Sequence, residues 1–150
     1  MPQVEFHTGV ASPLHFACRL LRKAWRQGVT VVVTAPPPAL AALDRELWTF
    51  EPLEFVPHLR VAAGQPAGAA LRRTAVWLCE GAAPQPGPSV LVNLGADLAE
   101  DLERYERIIE IVPQDAEPRQ QARARWRRYE ASGWPIRHHA QPASMVQKEG

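Results

Sequence analysis

Between Arg119 and Arg128 the sequence places five arginines and no acid. Arg119, Arg123 and Arg127 recur every four residues, so on a helix they share one face. Trp126 falls on that face, between the side chains of Arg123 and Arg127, while Ala122 and Tyr129 turn to another side that would meet a core. A cationic stripe with an aromatic plate suits an anion. Guanidinium forks match carboxylates and phosphates, and an indole beside them offers an apolar wall. The plainer alternative is a solvated charged face. The whole chain of 150 residues carries a formal net charge of only +1. Any anion binding must therefore come from this local cluster rather than from a general positive field.

A second group is aromatic. Trp48, Phe50 and Phe55 lie within eight residues, flanked by Pro52 and Pro57. They are either ordinary core or a protein-binding patch, since large aromatic anchors dominate interface hot spots.

Other chemistries lack support. No GxGxxG follows the first apolar strand, and no GxxxxGK[ST] occurs. Gly64 and Gly68 precede a strand, whereas a phosphate cradle needs a following helix N-terminus. The acids Asp97, Glu100 and Asp101 fall at a helix start, where they compensate the dipole, and Asp44 and Glu46 on a solvent face. Ser12 and Ser89 have no nucleophile-elbow context. His138-His139 has no carboxylate or cysteine nearby in sequence, which favours a solvated tail over a metal site. Cys18 and Cys79 form no CxxC pair and read as small buried apolar residues. The expectation is therefore no catalytic residue, no metal and no cofactor. Met1 to Val10 has no basic start followed by an apolar run, and no stretch approaches the ~18 apolar residues of a membrane span. A cytoplasmic protein is expected.

The elements that would position these groups alternate. Gln3–Thr8 alternates like a strand. Ser12-Pro13 opens a helix with an N-cap and a proline at its first position. Leu14, Cys18, Leu21 and Trp25 follow at helical spacing, and Gly28 ends the helix. Val29–Thr34 is continuously β-branched, the mark of a strand covered on both faces. Pro36-Pro37-Pro38 opens a second helix with Leu40, Leu43 and Leu47 on one stripe. Phe55–His58 is extended, and Val61–Arg73 reads as a loop. Thr74–Cys79, Ser89–Leu94 and Arg107–Val112 are strands, with a short helix over Asp97–Arg104 and a proline-rich connector over Gly81–Pro88. Asp115 caps a helix running to about Ser132, stopped by Gly133. The order predicts an α/β fold: a single three-layer, Rossmann-like domain with a mainly parallel central sheet and helices on both faces. The domain covers residues 1–136, and residues 137–150 form a disordered tail.

Several of these stretches, collinear over about residues 1–135, resemble the chi subunit of bacterial DNA polymerase III. They are Ala24-Trp25-Arg26-Gln27-Gly28, Leu43-Asp44-Arg45-Glu46-Leu47-Trp48 and Phe55-Val56-Pro57-His58, then Ile111-Val112-Pro113, Arg119, Ala122-Arg123, Trp126-Arg127, Tyr129 and Gly133-Trp134. The chain departs from that family in carrying Trp126 where a tyrosine is usual, and arginines at 119 and 127 where lysines are usual. Charge and aromaticity are kept. The resemblance implies a non-catalytic accessory subunit that pairs with a small partner, psi, and reaches the clamp loader through it. It also implies binding of the acidic C-terminal tail of single-stranded-DNA-binding protein, which ends in Pro-Phe and a free carboxylate. The positions it marks for the tail are Arg119, Arg123, Trp126 and Arg127, with Val112 nearby. Those it marks for psi are Trp48 and Phe55. The alternative from another class is direct nucleic-acid binding by the arginine helix, since phosphates also want arginines beside a stacking aromatic. The near-zero net charge weighs against it.

Overall fold

The computed structural model describes residues 1–50 and 54–141. Seven strands form one sheet in the order β3-β4-β2-β5-β6-β1-β7, and every pair is parallel. They are β1 (Gln3–Val10), β2 (Val31–Thr34), β3 (His58–Val61), β4 (Val76–Cys79), β5 (Val90–Asn93), β6 (Arg107–Pro113) and β7 (Ile136–Ala140). The helices are α1 (Pro13–Arg26), α2 (Pro37–Thr49), the single turn α3 (Ala69–Arg72) and α4 (Ala116–Ala131).

The period-two alternation of the strands builds two cores. Val31 and Val33 of β2 face one way, packed with Cys18 and Leu21 of α1 and Leu40, Leu43 and Leu47 of α2. Val32 between them faces the other way, in the core that holds Ala122 and Tyr129 of α4, with Phe6, Ile108 and Val112. The expected three layers are present, with helices on both faces. Ser12 caps α1, its Oγ accepting from the His15 amide at 3.4 Å, and Pro13 takes the first helical position. Gly28 and Gly133 follow α1 and α4 at φ +74° and +78°, where a left-handed residue ends the helical run. Cys18 and Cys79 are free and buried, and burial pushes both thiols up to about 12. Among the described residues, no helix is long and apolar enough to cross a membrane.

Three local expectations need correction. The short helix over Asp97–Arg104 reduces to one 3-10 turn at Leu102–Arg104, because Asp101 sits at φ +61° and breaks the right-handed run. The Val61–Arg73 loop contains α3, which dips Leu71 into the core. The extended segment expected at Phe55–His58 leads into β3, which begins at His58. The third correction bears on the site. Residues Arg137–Ala140 are not tail but belong to β7, which hydrogen-bonds alongside β1. Its side chains are mostly exposed and carry no alternation, and a backbone ladder to β1 runs along it, from Val4 N–H on Pro135 O to Gln141 N–H on Thr8 O, both 2.9 Å. The domain thus continues past residue 136. The remainder of the expected tail, 142–150, lies outside the described residues.

Candidate functional site

The arginine stripe stands over a groove. Arg119, Arg123, Trp126 and Arg127 of α4 line a cavity of about 770 Å³, with Val112 at its floor. All five tail-site positions marked in the sequence are thus brought together. Arg119, Arg123 and Arg127 are exposed, and among the described residues none of them has an ion-pair partner. Trp126 is half-buried. Its ring leans on Phe6 at 4.7 Å between centroids and meets the His138 ring edge-on at 5.6 Å. It forms a wall of the groove rather than a free plate.

The rest of the groove was not found in the sequence. Phe6, Thr8 and Gly9 come from β1, and His138, Ala140 and Gln141 from β7 and its end. Thr8 Oγ1 and His138 Nε2 share a 2.7 Å hydrogen bond across 130 residues of sequence. Gly9 stands at φ +67°, where the β1–β6 register shifts between His7 and Val10. A side chain there would be strained, so the chain keeps its bend into the groove only with glycine.

The rotation of α4 is set from inside. Of the five arginines, Arg125 points the other way, two residues and about 200° from both Arg123 and Arg127. It is buried against Glu110 of β6: Nε donates to both carboxylate oxygens at 3.0 and 3.1 Å, and Nη2 lies 3.0 Å from Oε1. Tyr129 donates its hydroxyl to Glu110 Oε2 at 2.7 Å, and Asn93 of β5 donates Nδ2 at 3.1 Å. Glu110 is 0% exposed. Burial pushes its carboxyl up, opposed by the Arg125 charge and by the Tyr129, Asn93 and Arg125 hydrogen bonds. A visible signal existed. Glu110 is the one acid inside the apolar run Arg107–Val112, and a buried carboxylate needs a paired cation.

The aromatic patch divides. Trp48 and Phe55 are 62% and 43% exposed, with ring centroids 4.7 Å apart. Both rings pack on His58, each at 5.4 Å. His58 is itself buried, donating from Nδ1 to Val56 O at 2.8 Å, with Nε2 2.9 Å from Asp44 Oδ1. Phe50 leaves the patch. It packs toward α1, 5.3 Å from the His15 ring and under the Arg22 guanidinium. Pro52 lies outside the described residues. The pair sits beside β3, at one edge of the sheet, and the groove lies at β1–β7, at the other. At ~4.8 Å per strand the two surfaces are roughly 25 Å apart.

The DNA polymerase III chi subunit (HolC) family model matches residues 1–137. The chain is 31% identical over 149 residues to DNA polymerase III subunit chi of Pseudomonas aeruginosa, covering 95% of this chain and 99% of that protein. The subunit chi of Haemophilus influenzae is 30% identical over 121 residues, 80% of this chain and 81% of that one. The subunit chi of Escherichia coli K12 is 26% identical over 133 residues, 85% of each.

Proposed function

Because the chain belongs to the chi-subunit family of DNA polymerase III, a replication accessory subunit, we propose that it is an adaptor with two docking surfaces and no active site of its own. The α4 groove takes the acidic C-terminal tail of single-stranded-DNA-binding protein. The Trp48–Phe55 patch takes psi, and through psi the clamp loader. The observation that carries the tail reading is the convergence on one cavity of an apolar cleft and three arginines that have no ion-pair partner among the described residues. The terminal carboxylate pairs with an arginine fork, and the terminal phenylalanine enters the notch between Trp126, Phe6 and Val112. Burying that ring contributes about 1.5–3 kcal/mol. Holding polymerase and coated single strand together then raises their local concentration without any new chemistry.

Direct binding to naked nucleic acid is less well supported. Arg125 is consumed by Glu110, and Trp126 is packed rather than presented for stacking. Fluorescence anisotropy separates the two. A labelled acidic peptide ending in Pro-Phe should bind, and should bind more weakly as salt rises, because the exposed tail acids are screened. A naked oligonucleotide of equal charge that bound more tightly would replace this reading with the nucleic-acid one.

The psi reading has its own test. Trp48→Ala and Phe55→Ala should each weaken psi binding by about 2 kcal/mol or more, the cost of losing a hot-spot anchor. Peptide binding at the groove should not change, since sites this far apart behave additively. Wild-type affinity for psi in the double variant would remove the patch from the account.

A further inference from the structure

Among the described residues, one group of three potential metal ligands comes together: Glu5, His7 and His139. It lies on the side of the β1–β7 pair that faces α1, opposite the groove. The register explains it. Glu5 and His7 are two apart on β1 and so share a face. His7 is directly opposite His139 in the parallel pairing. One ligand atom from each of the three lies within 4.8 Å of the others. The two imidazoles stack at 4.8 Å with 15° between their planes, and His139 Nε2 is 3.7 Å from Glu5 Oε1.

We propose that Glu5, His7 and His139 bind one divalent transition-metal ion of the zinc, cobalt or nickel class. Two imidazoles and one carboxylate are a donor set for these ions rather than for magnesium or calcium, which want oxygen alone. Ligand atoms about 2.0–2.2 Å from a tetrahedral metal stand roughly 3.3 Å apart, so each moves inward by about 1 Å, within reach of side-chain rotation. The carboxylate is already oriented. Arg107 Nη2 donates to Glu5 Oε2 at 2.7 Å, which leaves Oε1 toward the histidines. A solvent-open groove of about 630 Å³, lined in part by Glu5 and His7, gives an ion access. Three protein ligands leave a fourth position open, and an ion there clips the edge strand β7 to β1.

The test uses the tag-free full chain. Cobalt(II) is followed by visible absorption and zinc(II) by calorimetry. One ion per chain should bind, and His139→Ala should weaken binding about tenfold or more. His139 is exposed, so folding is not at stake, and His7→Ala with circular dichroism gives a second reading. His15→Ala removes an exposed imidazole of α1 outside the cluster and should leave affinity unchanged. No binding at millimolar zinc by the folded chain, binding indifferent to His139→Ala, or loss on His15→Ala would each overturn the site. None of these results depends on what occupies the α4 groove.

Discussion

Arg125→Met should lower the stability of the fold by about 3–5 kcal/mol, because it strands a fully buried carboxylate. Glu110 would keep only Tyr129 and Asn93 as hydrogen-bond donors. The cost should depend on pH, and the sign is fixed by the direction of the shift. Burial already raises the Glu110 carboxyl above its ordinary value, and losing Arg125 raises it further. A carboxyl whose folded pKa lies above its unfolded value loses stability as pH rises from the unfolded value, about 4.3, through the folded one. The deficit of Arg125→Met should therefore be larger at pH 7 than at pH 5. Adding Glu110→Gln removes the stranded charge while keeping an acceptor for Tyr129, so the double variant should be more stable at pH 7 than Arg125→Met alone. Urea unfolding at both pH values reads this from the midpoints. A double variant no more stable than the single would mean that Arg125 acts through packing, not charge.

Arg123→Glu should all but abolish binding of the acidic tail peptide while leaving the fold intact. Arg123 lies one turn from both Arg119 and Arg127 on the exposed face of α4, so its reversal disturbs no packing. On the proposed reading it is the best-placed fork for the terminal carboxylate. Truncating one partner of such a pair costs about 2–5 kcal/mol, and reversal adds repulsion. That is a loss of about 30-fold at the least. Amidating the peptide should weaken wild-type binding and matter little in the variant, whose fork is already gone. Titrating both peptides against both proteins makes a double-mutant cycle. Additive losses would move the carboxylate to Arg119 or Arg127. Binding of psi to Arg123→Glu should equal wild type.

What the sequence disclosed follows from how local each signal is. Ser12-Pro13, Gly28, the Val29–Thr34 run and the leucine stripe of α2 act within a turn or two, and each produced the expected element. The all-parallel sheet follows from buried β-branched strands alternating with helices. The arginine stripe was legible because helical spacing alone puts three side chains on one face. Everything that depends on strands meeting across the chain was hidden. β7 is held by backbone bonds to β1, a partner some 130 residues away, and its polar side chains look like tail. The same pairing supplied half of the groove and gave His139 the carboxylate and imidazole that its own neighbourhood in sequence lacked. Arg125 falls outside the stripe, and the lone acid at Glu110 in its apolar run was the signal that could have named its partner.

Mapping the peptide on the folded chain tests the groove most directly. In amide-resolved proton–nitrogen spectra of the labelled protein, an acidic peptide ending in Pro-Phe should shift resonances of Arg119–Arg127, of Thr8 and Gly9, and of His138–Gln141. It should leave those around Trp48 and Phe55 in place. Shifts confined to the Trp48–Phe55 edge or to α1, with α4 and β7 silent at saturation, would contradict the account.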